Sequence, residues 1–387
     1  MKTAVVERYG IPGGIMTVYG NNDVAQFYAH HKQIISGIGW EFILRLNEKG
    51  YAPIPDMSVK APHWYYGVRV NIPAAAHMID VMLTECGVDI YYNQPVVDVE
   101  VTDGKVDNII VSTKAGLKRF KAKMYIDCTG DGDICAWSGA EFECGDTLQP
   151  GTIRYYFHES GVDEMTAESV KNGMKEALDR GDLLHSDHMN RPIESLLKND
   201  GNNSNHISGY NFIDSDEKTA ADIEGRTSVF RIMESMGEYK TLLSNIAPGT
   251  ALRETRRVIC DHYITCEEYV SGRNYDDAIC NSFYPIDLHR DGMERIYQIF
   301  IKEDIVPKIP LSAMTVKGFD NLYVAGRCAS GDRLANSAYR VKASCMAMGQ
   351  SAGAAAAVAV KYNNSISRGC DIELIKGILR ENNAIVP

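Results

Sequence analysis

DNLYVAGRCASGDRLANSAYRVKASCMAMGQSAGAAAA, residues 320–357, decides the fold. Its first part, LYVAG, is a short apolar run and reads as a buried strand. A loop of small residues follows, and a helix is predicted to begin near Ser337 and run to Lys361. One face of that helix carries Ala343, Ser344, Ala347, Gly349, Ala352 and Gly353. Large side chains are nearly absent there, so another group packs close to the helix backbone. The helix N-terminus offers unpaired N–H groups and a positive potential. Tight helix–sheet packing and close approach by a planar anion both fit this pattern. For the second reading the ligand-facing residues are Gly326, Arg327, Ser337, Arg340 and Gly349.

Three upstream stretches carry related signals. MKTAVVERYGIPGG, residues 1–14, is a short strand closed by Glu7, with Gly13 and Gly14 beyond it. A carboxylate after a strand can accept both hydrogen bonds of a ribose diol, and glycines allow a ligand near the backbone. VVDVEV, residues 96–101, is a strand whose edge, at Val97, could pair with an adenine through main-chain groups. YIDCTGDGD, residues 125–133, breaks a buried strand into small residues, with Thr129, Gly130 and Asp131 at the turn. Aspartates so near a buried strand are costly unless exposed or hydrogen-bonded. Each stretch alone is equally an ordinary strand end or acidic turn.

Together and in this order, the four stretches resemble the FAD-dependent oxidoreductases with a two-part dinucleotide fold. That broad group includes heterodisulfide reductase-like and fumarate reductase-like flavoproteins. RETRRVICDHY from Arg253 and YPIDLH ending at His289 extend the resemblance across most of the chain. It implies an α/β fold: a Rossmann-like FAD-binding parallel sheet, an antiparallel meander and an inserted substrate or cap region. The expected division is 1–150, 151–304 and 305–387, the first and last parts forming the FAD-binding domain. In such folds a glycine-rich turn lies roughly 20 residues before the ribose acid, whereas only six residues precede Glu7. The expectation is a chain that starts after the first strand, its GxGxxG turn and the following helix.

The resemblance also places the substrate between the two cofactor halves. His289 is the candidate proton donor or orienting group, since its ordinary pKa suits that task. Arg253 and Arg256 lie one turn apart if their stretch is helical, and paired guanidinium groups suit a carboxylate or a phosphate. Structural ion pairs with Glu254, Asp261 or Glu267 are the competing reading. Trp64, Tyr65 and Tyr66 are read as packing rather than as a substrate pocket.

Composition narrows the function classes. With 387 residues, 45% of them hydrophobic, the chain can bury a large core. A formal charge of −11 argues against a nucleic-acid surface. Ten cysteines lie scattered without a CxxC pair, so they are read as reduced thiols, and no iron–sulfur cluster or other metal site is expected. No signal peptide or membrane span is read, and the expected compartment is cytoplasmic. The functional expectation is hydride transfer from a small organic substrate to FAD, with a further electron acceptor that the sequence does not specify. The alternatives are a non-catalytic, partner-dependent chain that does not hold FAD, and a nicotinamide-dependent dehydrogenase.

Helices are expected over 24–50, from Asn71 to about Cys86, over 164–180 and from Asp214 onward. A meander of three strands is expected between 95 and 123.

Overall fold

The computed structural model describes residues 1–157, 164–188, 205–290 and 296–387. Strand β1 (Ala4–Val6) is short and leads to the glycine-rich segment. Helix α1 (Ile38–Glu48) and helix α2 (Ile72–Glu85) follow. Asn71 caps α2 by accepting from the Ala74 N–H, Pro73 sits in its first turn, and Gly87, at φ 65°, lies just beyond its end. Strand β2 (Asp89–Tyr91) pairs with β1 in parallel, with Ala4 opposite Asp89.

The meander forms as expected. Strands β3 (Val96–Thr102), β4 (Lys105–Thr113) and β5 (Gly116–Phe120) make an antiparallel sheet in that order. Asp103 and Gly104 both have positive φ at the first turn. Strand β6 (Tyr125–Asp127) then enters the TGDGD turn. Strand β7 (Ile286–Leu288) delivers Asp287 and His289, and strand β8 (Leu322–Val324) pairs in parallel with β6.

The parallel sheet expected as one unit is thus two separate pairs, β1–β2 and β6–β8. The direct neighbour of β8 is β6, with Tyr125 opposite Leu322, so β1 does not lie beside Leu322. The Asp89 N–H donates to Thr3 O and the Glu7 N–H to Tyr91 O. Strand alternation therefore turns the N–H and C=O of Ala4 and Val6 away from β2. By the same logic Ile126 turns its polar groups away from β8, because Tyr125 and Asp127 make the bonds on that side.

The long helix begins in a different place from the one predicted. Asp332 caps helix α3 (Arg333–Tyr339), and its side chain accepts from the Ala335 N–H. The chain breaks at Arg340–Val341 and restarts as helix α4 (Lys342–Tyr362), which has no side-chain cap. Ser337 therefore sits inside α3, fully buried, rather than at a helix start. Its hydroxyl accepts from the Asp287 N–H and donates to Leu334 O. The reason is the capping strength of Asp332, in a stretch that reads as loop.

A second correction concerns residues 24–50. The helix occupies only α1, after Gly37 at φ 76°. Upstream, Tyr28–Ala29 and Lys32–Gln33 form a small hairpin, with His30 and His31 at positive φ in its turn. The apolar positions are core positions, since Phe27, Ile34, Ile35, Phe42 and Leu46 are all buried. Their spacing satisfies a helix, but strand pairing takes the first half. The helix Ser215–Ser235 is capped by Asp214 as expected. It buries Ala221, Ser228, Val229 and Ile232, while Ile223 and Phe230 face outward.

The main core joins α1, α2, α3 and α4 to residues 264–314. A separate apolar cluster lies between Ile153 and Ala247. Buried apolar residues such as Ile264, Ile279, Ile286 and Ile309 pack with the main core. Helix α4 is long and apolar enough to span a membrane, but 61% of its most apolar window is buried within the protein.

Candidate functional site

A cleft of about 2370 Å³ runs between the two parallel strand pairs. Small-ligand pockets are typically about 300–1000 Å³, so this one has room for a dinucleotide and a substrate together. One wall is β1 with Glu7, Gly13 and Gly14. The opposite wall is Met124 to Ile126 and the turn bearing Thr129, Gly130 and Asp131. Its floor is the small-residue face of α4, from Cys345 through Gly349 and Gly353 to Val360. Gly326, Arg327, Arg340, Arg253 and His289 complete it.

The acidic turn is paired throughout. Buried Asp127 accepts from the Thr129 N–H and hydroxyl at 2.9 and 2.7 Å and from the Cys135 N–H at 3.0 Å. Asp131 meets Arg327 at 2.5 Å, the Thr255 hydroxyl at 2.7 Å and Arg8 at 3.6 Å. Burial pushes the Asp131 carboxyl up, but Arg327, Thr255 and Arg8 outweigh it and hold the group below the carboxylate range. Asp133 moves the other way: burial and the Asp131 charge raise it, against the pull of Arg256.

Three sequence-predicted residues do not line the cleft. Val97 is 44% exposed and sits at a register shift between β3 and β4, so its edge is turned away. Ser337 is buried inside α3. Arg256 donates to Asp133 at 2.7 Å and to Asp131 O at 3.2 Å, which is a structural ion pair. The stretch around Arg253 and Arg256 is extended and bent rather than helical, so the two guanidinium groups part. The loop residues Ala329, Ser330 and Gly331 are buried and do not line the cleft.

The substrate side is a locked network. Glu254, 1% exposed, accepts from the Gln149 N–H at 2.7 Å and its amide at 2.9 Å, and pairs with Arg333 at 2.7 Å. This aims Gln149 Oε1 at the His289 N–H, 3.2 Å away, and at Arg340, 3.3 Å away. Arg340 also donates to Asp287 O at 3.2 Å, while its Nε is buried without a partner among the described residues. Arg253 donates to Pro150 O at 2.6 Å. His289 Nε2 lies 3.4 Å from Asp287 Oδ2. Burial, with the Arg253 charge beside it, lowers the His289 pKa to about 3 despite Asp287, so the ring is neutral. Asp287 stays ionised: burial opposes this, but His289 and Arg340 hold its carboxyl far below the usual range.

Sequence reasoning missed Gln149, Asp287, Gln298 and Lys342. Only Asp287, two residues before His289, had a local signal. The Lys342 ammonium donates to Asp23 O at 2.9 Å, and burial lowers its pKa to about 8. With Arg154, Arg253 and Arg340 it gives this end of the cleft a cationic lining. At the mouth, Trp64 is 67% exposed and His63 stacks edge-on against Tyr284. Tyr66 instead packs inside, its hydroxyl donating to Val59 O at 2.7 Å.

The cleft fits a flavin dinucleotide. A Cβ added at Gly14, Gly349 or Gly353 would meet no atom within 4 Å, so these backbones border open space. Arg340 and the uncapped start of α4 lie at the same end, where N–H groups and the orphaned Nε suit an electron-rich ring edge. Glu7 lies at the other wall, where its carboxylate accepts from the Tyr9 N–H at 3.0 Å.

Comparison with known proteins gives one family. The family model for FAD dependent oxidoreductases matches residues 1–379. No curated protein matches the chain. Among solved structures, it is similar to a geranylgeranyl bacteriochlorophyll reductase-like protein from Thermoplasma acidophilum, at 12% identity and TM-score 0.45, over 98% of this chain and 77% of that one. It is also similar to the anhydrotetracycline hydroxylase OxyS from Streptomyces rimosus, at 12% identity and TM-score 0.37, over 99% and 63%. The match to BexE, of BE-7585A biosynthesis, has 16% identity and TM-score 0.30 and covers 42% of this chain. It spans about a third of BexE, 33% of its length. On the family match across its length, the chain belongs to the FAD-dependent oxidoreductases, and FAD is its cofactor.

Proposed function

We propose that this protein moves a hydride between a small organic anion, carrying a carboxylate, and FAD. The observation that carries this reading is the meeting of His289, Arg253 and Arg340 with the Gly326 loop and the start of α4 in one cleft. FAD supplies the hydride acceptor when bound. Gly349 and Gly353 leave its ring room, and Arg340 offers a charge at its edge. Arg253, Arg340 and Lys342 attract and orient a carboxylate. His289 borders the substrate position with a neutral ring. Asp287 fixes the ring, and Gln149 fixes the backbone behind it.

Anaerobic mixing tests this. The FAD-loaded chain is exposed to hydroxy acids and to their uncharged esters, and loss of the oxidised flavin band is followed. Bleaching by acids but not by esters is expected. Bleaching by esters as fast as by acids overturns the anionic substrate.

A second reading has its own support. Among the described residues β1 and β6 each pair with one strand, and both turn unpaired backbone groups toward the cleft. A strand placed between them would satisfy both edges. On that reading the chain depends on such a strand to hold FAD well. A protein that takes up no FAD under any condition favours it.

A further inference from the structure

His206 lies outside the set of groups that would touch substrate or flavin, yet it touches the central residue of the site. Its Nε2 lies 2.9 Å from His289 Nδ1, and the two rings meet edge-on at 5.0 Å. The other nitrogen of His289 lies 3.4 Å from Asp287 Oδ2. An ionised carboxylate only accepts, so the hydrogen of neutral His289 belongs on Nε2, and Nδ1 is bare. In the contact between the rings His206 is then the donor. Asp287 is itself fixed, because Gln298 donates to its Oδ1 at 3.0 Å and Ser337 accepts from its N–H.

The surroundings oppose any positive charge on His289. The residue is 7% exposed, and Arg253 and Arg340 face it, with Asp287 the opposing charge among the described residues. A proton could add only at Nδ1, where an N–H already points. His206 is half-buried.

We propose that His206 is a positioning residue for His289: by donating its Nε2–H to Nδ1 it holds His289 as the neutral Nε2–H tautomer, with that N–H turned to Asp287. This rests on reading His289 as the substrate-facing group.

Nitrogen NMR of the imidazole rings tests the proposal in the full chain without a substrate. In the wild type, His289 should show a bare Nδ1 and a protonated Nε2 from roughly pH 5 to pH 8, the range around the ordinary histidine pKa. His206→Ala should let water reach Nδ1. His289 should then show about a tenfold loss of tautomer preference, the factor one buried hydrogen bond provides. His206→Gln, whose amide can still donate, should restore the wild-type pattern. A wild-type His289 that charges within the range overturns the proposal. So does an Ala variant, folded by circular dichroism, that leaves the His289 signals unmoved. If His206→Ala does not fold, the wild-type titration and the Gln variant still decide. Turnover separates the two readings: if the NMR pattern holds but His289→Ala keeps full turnover, the functional reading fails and the tautomer assignment stands.

Discussion

The two walls of the cleft are built from different materials. The β1 wall is backbone: a three-residue strand, Gly13 at φ 103°, Gly14 at φ 47° and few side chains that hold anything else. The opposite end is a lattice of side chains, in which Glu254, Gln149, Arg340, Asp287 and His289 each fix the next. The first wall selects by shape and clearance, so size changes should damage it. The second selects by charge and hydrogen bonding, so isosteric changes should damage it just as much.

The largest effect should come from the second wall. His289→Ala is expected to lower turnover by about 10²–10⁴-fold while leaving bound FAD per chain unchanged, read from the flavin band and from initial rates. An equal fall in both would erase the distinction between the walls. Next is the floor. Gly349→Leu has space for its side chain in the protein alone, because no atom lies within 4 Å of the added Cβ. The melting temperature should stay near the wild-type value while FAD occupancy falls at least about tenfold, the cost of a bulky group in a shaped pocket. Unfolding of this variant would place Gly349 with the core instead.

A smaller effect is expected behind the site. Glu254→Gln keeps the shape but removes the charge from a buried pair with Arg333. Because Arg333 is about one-third exposed, a loss of about 1–3 kcal/mol in urea unfolding is expected. The pH dependence of that stability has a fixed sign. His289 has a lowered pKa in the fold, so below the unfolded value of about 6.5 the unfolded chain binds the extra proton. Its contribution is complete above that value and is lost as pH falls toward about 3. Asp287, lowered by its partners, adds a loss of the same sign below about 3.9. His289→Gln should flatten the upper part of this slope. The smallest effect belongs to Val97, where Val97→Lys should leave FAD occupancy within about twofold, since an exposed side chain turned from the cleft changes little.

Much of the first wall was readable in the sequence because glycine and short strands signal locally. Glu7, Gly13 and Gly14 line the cleft on that wall, with Thr129, Gly130 and Asp131 facing them. The second wall was only half readable. His289 and Arg253 carry chemistry in their own identity, but Gln149, Asp287, Gln298 and His206 acquire theirs from the partners the fold brings to them. Val97 lies outside the cleft, at a register shift that strand periodicity does not reveal. Arg256 takes the ion-pair reading, with a partner, Asp133, that lies across the fold. The break at Arg340–Val341 splits one apparent helix into two, and that break is what puts Arg340 at the cleft.

The tryptophans carry a consequence of their own. Trp40 packs against Phe27 and Tyr28 in the core. Trp64 and Trp137 both border the cleft, and no further tryptophan occurs in the chain. Two of the three indoles therefore stand within reach of any chromophore bound there. An isoalloxazine absorbs where indole emits, so its arrival should drain the excited state of those two and leave the third glowing. Intrinsic emission thus becomes a titration signal for cofactor uptake, with no label attached, and replacing Trp137 by Phe would separate the emission at the turn from that at the mouth.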